Sequence, residues 1–353
     1  MKNLKKMLGV AVISVSVAGS AVAEEYVLRI SQVHSRESAT FKDVTLPVKE
    51  FIERESGGRI TVQTYPNGVL HGAADAFKAI VTGVTDVAPA YPLFNSSSFH
   101  LAHGFFLPSA FETAYANNQV KAELYDEYIK PEYAALGVEV FMHGTSAPYQ
   151  LLTTVEVRNL DDVKGLKIRG SGGAVNEMVA ALGATPVTIS SAEMYSAFQQ
   201  GVVDGVLVPA ESITTYHLEE VAKYFVPVDF GRAGDIPFAI NAKVYDNLPE
   251  DLAEVVKRAG QYGNVVYGDF VEKNTAAGMD ALRAKGVKMV ELSDADVATL
   301  DKAKQVLWDD FLRKNEADGY PASEFVAALK SLSSEFGAMD RDAMLERQSE
   351  VGK

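Results

Sequence analysis

From Asn159 to Glu211 the chain reads as strand, helix, strand, helix, strand, and this run leaves few folds open. A polar turn, Asn159-Leu160-Asp161-Asp162, precedes the short strand Leu166-Lys167-Ile168. Gly170-Ser171-Gly172-Gly173 relaxes the backbone before an apolar helix from about Ala174 to Leu182, which Gly183 ends. Thr185 to Ile189 is the next strand. Ser190 and Ser191 then precede a helix from Ala192 to Gln200, with Glu193 near the capping-box spacing from Ser190. After Gly201, Val202 to Val208 reads as a buried strand. A repeating strand–helix order builds a parallel α/β layer, and such layers bind ligands outside the carboxyl ends of their strands. Arg169 stands at one of those ends.

The chain before this unit contains a partial echo of it. Ala73 to Thr82 reads as a helix, Gly83 closes it, and Val84-Thr85-Asp86 leads into Val87-Ala88-Pro89-Ala90. Ala197 to Pro209 follows the same plan: helix, glycine, two residues, aspartate, strand. The repeat predicts two lobes built alike and facing each other. It also sets Tyr91 in the first lobe opposite Val208 and Pro209 in the second, so both positions should line a cleft.

The remaining segments fit this plan. Tyr26 to Ser31 alternates as a strand, Thr40 to Ser56 is an amphipathic helix containing Pro47, and Arg59 to Pro66 is a second strand. A helix from Ala114 to Tyr128 and a strand at Val138 to Met142 come before His143-Gly144-Thr145 breaks the pattern, and Tyr149 to Thr154 follows. Beyond the central unit, the reading gives a helix at Tyr216 to Lys223, extended chain at Tyr224 to Phe230 and a strand at Phe238 to Asn241. A long helix runs from Leu248-Pro249 to Lys285, then a strand from Val287 to Leu292 and a helix beginning at Ser293. Charged amphipathic helix completes the chain from Tyr320 to Lys353.

Composition narrows the function classes. The first residues carry Lys2, Lys5 and Lys6 and then an uncharged apolar run to Val22, with Ala21-Val22-Ala23 as a small-x-small cleavage site. That pattern is a secretory signal over residues 1–23, with Glu24 as the first mature residue. Removing three lysines and no acids takes the net charge from −14 to −17. Such an acidic chain is a poor match for nucleic acid, and an anionic ligand needs a local cation. No cysteine is present, which excludes disulfides, thiolate metal sites and cysteine nucleophiles. The six histidines (His34, His71, His100, His103, His143 and His217) form no His-x-x-x-His pair, the serines form no G-x-S-x-G elbow, and no Gly-Lys-[Ser/Thr] follows the glycine run. No enzyme chemistry, metal or cofactor is expected.

Leu166-Lys167-Ile168-Arg169, followed by GATPVTISSAEMYSAFQQGVVDG, resembles the core signature of the extracytoplasmic solute receptors of TRAP transporters, the DctP-type family. The resemblance extends over nearly the whole mature chain. It implies an α/β, two-lobed periplasmic-binding-protein-like fold with a hinge and a long lobe-spanning helix. Lobe I is then residues 24–147 plus about 236–265, and lobe II residues 148–235 plus about 266–353 with the C-terminal helices. It implies a periplasmic receptor that closes around a small organic acid and delivers it to TRAP permease subunits, with Arg169 pairing to the ligand carboxylate. Related receptors carry a second arginine or a glutamine near Tyr149 and Gln150, and a polar residue where Val208 stands. An acidic pair that holds a metal in some relatives has no counterpart here, where Glu211 lies past Pro209. The candidate ligand site is therefore Arg169, Tyr149, Gln150, Tyr91, His34, Ser191 and Val208, with Arg36 and Arg232, both on loops near the expected cleft mouth, as alternative second clamps. A monomeric receptor for a monoanion is the expectation. An ATP-driven importer's binding protein and an exported α/β hydrolase or lyase are the rival readings.

Overall fold

The computed structural model describes residues 25–108, 111–232 and 234–351, with side chains as far as Arg347. The signal segment at 1–23 lies outside them. In chain order the first half runs β1 (Tyr26–Ser31), α1 (Leu46–Glu55), β2 (Ile60–Tyr65), α2 (Ala76–Val81), β3 (Val87–Pro89), α3 (Ala114–Leu124), α4 (Lys130–Ala135) and β4 (Val138–Met142). Next come β5 (Tyr149–Thr153), β6 (Lys167–Gly170), α5 (Gly173–Ala181), β7 (Thr185–Thr188), α6 (Ser191–Gln199), β8 (Gly205–Pro209), α7 (Ser212–Thr215) and β9 (Tyr224–Val226). The chain then continues through β10 (Phe238–Asn241), α8 (Lys243–Asn247), α9 (Glu250–Ala284), β11 (Lys288–Met289), α10 (Asp294–Ala317), α11 (Ala322–Phe336) and α12 (Arg341–Val351).

The strands form two sheets, one ordered β2-β1-β3-β10-β4 and the other β11-β9-β5-β8-β6-β7. In each, the βαβ strands are parallel, and a strand returning from the other sheet enters antiparallel: β10 beside β3 and β4, β5 beside β8 and β9. Three crossings thus join the sheets: β4 to β5, β9 to β10, and β10 to β11 by way of α8 and α9. Apolar residues on the faces of both sheets pack under the flanking helices into large buried clusters.

The echo between the two lobes extends to individual hydrogen bonds. Asp86 accepts the Arg29 N–H at 2.8 Å through Oδ2 and returns its own N–H to Arg29 O at 3.0 Å. Asp204 does the same with Lys167, at 2.8 Å in both directions. In each lobe the motif aspartate therefore ties the entry of one parallel strand to its neighbour. Gly205 follows Asp204 because a Cβ there would come within 2.6 Å of Leu152 O.

Several local expectations are corrected. The helix read over Thr40 to Ser56 opens with a wide π turn, Phe41–Thr45, which the N–H-less Pro47 at the start of α1 accommodates. No continuous helix covers Tyr216 to Lys223, because His217 sits at φ 55° and splits the segment. β9 ends at Val226, just before Pro227, which has no N–H to donate to the ladder, and pairing with β5 resumes only at Phe230, whose N–H donates to Tyr149 O at 3.2 Å. The strand read over Val202 to Val208 starts only at Gly205: Val202 is 53% exposed, its N–H spent on Ala197 O in the turn after α6. The strand read over Val287 to Leu292 shrinks to Lys288–Met289.

Polar side chains buried under α3 fix the crossings. Lys121 Nζ donates to Gly144 O (2.9 Å) in the first crossing and to Gly234 O (2.7 Å) in the second, and lies 3.3 Å from Asp235 Oδ1. Asn117 donates to Arg232 O, Asn118 to Asn264 O, and Asn264 accepts the His143 N–H at 2.6 Å. The 35-residue helix α9 packs on α1 and α3 of one lobe and on α7 of the other. It comes close enough to β4 that a Cβ on Gly260 would fall 1.9 Å from Phe141 O. Alanine gains about 1 kcal/mol over glycine in helix propensity. A backbone carbonyl cannot rotate away, however, and overpacking costs ~1–3 kcal/mol or more. Gly260→Ala should therefore lower the urea midpoint; a raised midpoint would show that α9 is not seated against β4 in this way.

Candidate functional site

Arg169 is the next-to-last residue of β6, beside Val206 of β8, near the carboxyl edge of the parallel strands. It is only 4% exposed. Its Nε donates to Ile189 O at 2.9 Å and its Nη2 approaches Ser191 Oγ at 3.4 Å. Among the described residues no carboxylate forms an ion pair with it, whereas Arg29, Arg158 and Arg232 all have acidic partners. Burial holds its pKa below the ordinary arginine value, and the phenols of Tyr149 and Tyr216 are its electrostatic neighbours. A buried cation without a counter-ion is costly unless something supplies the charge.

The surroundings favour an anion. Arg169 meets the start of α6, where Ser190 gives its hydroxyl to Glu193 Oε2 (2.7 Å) and provides no side-chain cap to the backbone. The first turn of a helix left in that state attracts negative charge. The glycine run serves the turn before α5. The space a Gly170 Cβ would need holds Asn176 Oδ1, 2.1 Å away, and Asn176 joins Gly172 N–H to Thr188 Oγ1. Gly170 thus makes room for the side chain that fixes the turn, not for a ligand.

Tyr91, Tyr149, Tyr216 and Tyr267 lie within electrostatic reach of one another, from β3's end, β5, the segment after α7, and α9. Burial raises the phenol pKa values of Tyr91, Tyr149 and Tyr267 above the ordinary tyrosine value, so these remain neutral O–H donors. The structure thereby gathers Arg169, Ser191, Tyr149 and Tyr91, and adds Tyr216 and Tyr267. Gln150 uses its Oε1 to accept the Asp229 N–H at 3.2 Å, holding a hinge turn in which Asp229 has φ 40°. Val208 is buried in the hydrophobic cluster with Val206 and Ala210. His34 stands past the end of β1 with Nδ1 buried and unpartnered, and burial keeps its ring neutral at neutral pH.

The two alternative clamps part company. Arg36 is exposed, with its guanidinium 5.4 Å above the Phe41 ring. Arg232 is not at the cleft mouth: it is 4% exposed and pairs with Glu272 of α9 at 2.9 Å. Its chain turns inward because the second crossing runs through the middle of the molecule. Glu211, just past β8, is 6% exposed and accepts the Ala147 N–H at 3.1 Å. Burial pushes its carboxyl up to about 8.

That shift has a stability consequence. Between the unfolded value near 4.5 and about 8, the native state keeps a proton that the unfolded chain has lost, so this carboxyl makes stability fall as pH rises. The slope is about 1.4 kcal/mol per pH unit. Glu211→Gln should therefore gain on the parent protein steadily from pH 5 to 8 in urea titrations. A difference independent of pH would place the Glu211 carboxyl in water.

The chain matches the DctP profile, bacterial extracellular solute-binding protein family 7, over residues 30–315. It is 24% identical over 340 residues to the C4-dicarboxylate-binding periplasmic protein DctP of Rhodobacter capsulatus, covering 94% of this chain and 98% of that one. A TRAP periplasmic solute binding protein from Bordetella bronchiseptica, solved with bound (R)- and (S)-mandelate, superposes with a TM-score of 0.79 at 25% identity, over 89% of this chain and 99% of that one. A TRAP solute binding protein from Rhodoferax ferrireducens, in complex with copurified benzoate, gives 0.79 at 21% identity, over 88% and 98%.

Proposed function

The chain belongs to the DctP family of bacterial extracellular solute-binding proteins, and from that premise we propose that it carries small aromatic or similarly apolar monocarboxylates to a TRAP permease. It is a periplasmic receptor of a transport system and not an enzyme. The observation that carries the ligand class is Arg169: one buried guanidinium, without an acidic partner among the described residues, within electrostatic reach of the phenols of Tyr149 and Tyr216. A planar guanidinium takes a carboxylate bidentately, and this fixes the acid's orientation as well as its charge. Tyr91, Tyr149, Tyr216 and Tyr267 offer ring faces to the remainder of the ligand and O–H groups at its edge.

The relative from Rhodobacter capsulatus raises a C4 dicarboxylate as the rival. A second carboxylate needs a second free cation, and Arg232 already answers Glu272. Benzoate and mandelate, bound by the two solved neighbours, each carry a single carboxylate and support the monoanion reading. We assign Arg169 and Ser191 to the carboxylate, Tyr91 and Tyr149 to the apolar part, and His34 to the opposing wall from lobe I. Gln150 and Val208 contribute as supports of the wall. The mature chain begins at Glu24 and acts as a monomer. The first two crossings and α9 form the hinge between residues 24–147 plus about 236–265 and residues 148–235 plus about 266–353. Contacts from both lobes to one ligand would favour closure.

A thermal-shift screen tests the ligand class. A binder at 100 times its Kd stabilises the native state by ~2.7 kcal/mol, a readily visible shift. Benzoate-like and mandelate-like acids should stabilise the protein, and succinate or malate should bind less tightly than their monoamides. Tighter binding of the C4 dicarboxylates would overturn the monoanion reading.

A further inference from the structure

We propose that the pocket continues past Tyr149 into a hinge-side subsite, formed by Glu211 and Arg232, that takes a hydroxyl group of the ligand and refuses a second carboxylate. The proposal rests on the reading of Arg169 as the carboxylate clamp and names what lies at the other end. Glu211 comes two residues after β8, the parallel neighbour of β6, so it shares the sheet edge at which Arg169 stands. Tyr149 opens β5, which pairs with β8, and its phenol feels both the Glu211 carboxyl and the Arg169 guanidinium.

The hydrogen-bonding inventory of this corner is incomplete. Arg232 donates through Nε to Phe111 O (3.3 Å) and through Nη2 to Glu112 O (2.9 Å) and Glu272 Oε1 (2.9 Å). Its Nη1 is buried and has no acceptor. A buried guanidinium N–H left without an acceptor is expensive, so an oxygen arriving there has a ready donor. Glu211 has no ion-pair partner among the described residues, although it and Arg232 feel each other's charge. One carboxyl and one vacant N–H are the complement of a hydroxyl, which accepts one hydrogen bond and donates another.

Charge decides against a carboxylate. Arg232 and Glu272 already neutralise each other, and the groups facing Glu211 are Arg232 from the crossing, Glu272 and Tyr267 from α9, and Tyr149 from β5. A second carboxylate would arrive with no cation left to match it, beside a carboxyl that itself ionises only near pH 8. A hydroxyl brings no such charge.

Calorimetry on the full mature protein with benzoate, the three monohydroxybenzoates and benzene-1,3-dicarboxylate tests this. At pH 7 the best hydroxybenzoate should bind roughly tenfold tighter than benzoate, and the dicarboxylate roughly tenfold weaker. In Glu211→Leu the hydroxyl advantage should fall to within about threefold. Between pH 6 and 9 the discrimination against the dicarboxylate should grow in the parent protein and stay flat in Glu211→Gln, a near-isosteric variant that serves if the leucine variant does not fold. A hydroxyl advantage that survives in Glu211→Leu, a dicarboxylate that binds as well as benzoate, or a pH profile shared by Glu211→Gln overturns the subsite. Failure of the underlying reading is a separate result: Arg169→Ala would then leave benzoate affinity unchanged.

Discussion

Arg169→Ala is expected to lower affinity for a monocarboxylate by ~2–5 kcal/mol, roughly 30- to several thousand-fold. Arg169 is 4% exposed and its guanidinium is already anchored by Ile189 O, so little reorganisation precedes binding, and its loss leaves the incoming carboxylate desolvated and unpaired. Arg169→Lys should recover only part of the affinity, because an ammonium cannot reproduce the two-pronged geometry. The alanine variant should remain folded, since it removes a cation that has no acidic partner among the described residues. Isothermal titration alongside a thermal melt separates the two effects. Affinity within a factor of about three of the parent protein would make the arginine structural.

The second large effect concerns the hinge. Lys121 is buried with Asp235, and its Nζ holds a carbonyl from each of the first two crossings. Burial lowers the lysine's pKa and raises that of the aspartate, while their mutual attraction opposes both shifts. Lys121→Ala takes the ammonium from Asp235 and the Gly234 carbonyl and leaves Gly144 O with only the Ile236 N–H at 3.1 Å, and breaking such a pair from one side costs ~3–5 kcal/mol. Against a total stability of ~5–15 kcal/mol, that should lower the urea midpoint sharply. Lys121→Met combined with Asp235→Asn removes both charges and should return much of the loss. A single variant as stable as the parent would mean that water reaches Lys121 and that the crossings are held elsewhere.

The sequence was most informative where a local rule and the fold agree. The order of elements from Asn159 to Glu211 reads correctly because apolar runs, glycines and the Asp-Gly step each favour the structure that forms, and the twin bonds of Asp86 and Asp204 give the repeat a physical cause. Arg169 was visible because strand polarity puts the residue after an apolar run at the ligand edge. Tyr267 was hidden inside a helix buried on several faces; the neighbouring Gly263 and Gly268, each seated against another side chain, mark close packing but not the cleft. Glu211 was read only as a missing metal ligand, because burial by the crossings is a tertiary fact with no local trace. Arg232 reads as a loop residue near the cleft mouth for the opposite reason. Gly231-Arg232-Ala233-Gly234 has the composition of an exposed loop, yet Arg232 is 4% exposed.

A crystal structure of the protein with a bound monocarboxylate tests the central claim most directly. The account predicts the carboxylate within about 3 Å of the Arg169 guanidinium nitrogens. It also predicts that Tyr91 of one lobe and Tyr149 of the other both touch the rest of the ligand. A carboxylate held by Arg36 or Arg232, with Arg169 still bonded only to Ile189 O and Ser191, would contradict it.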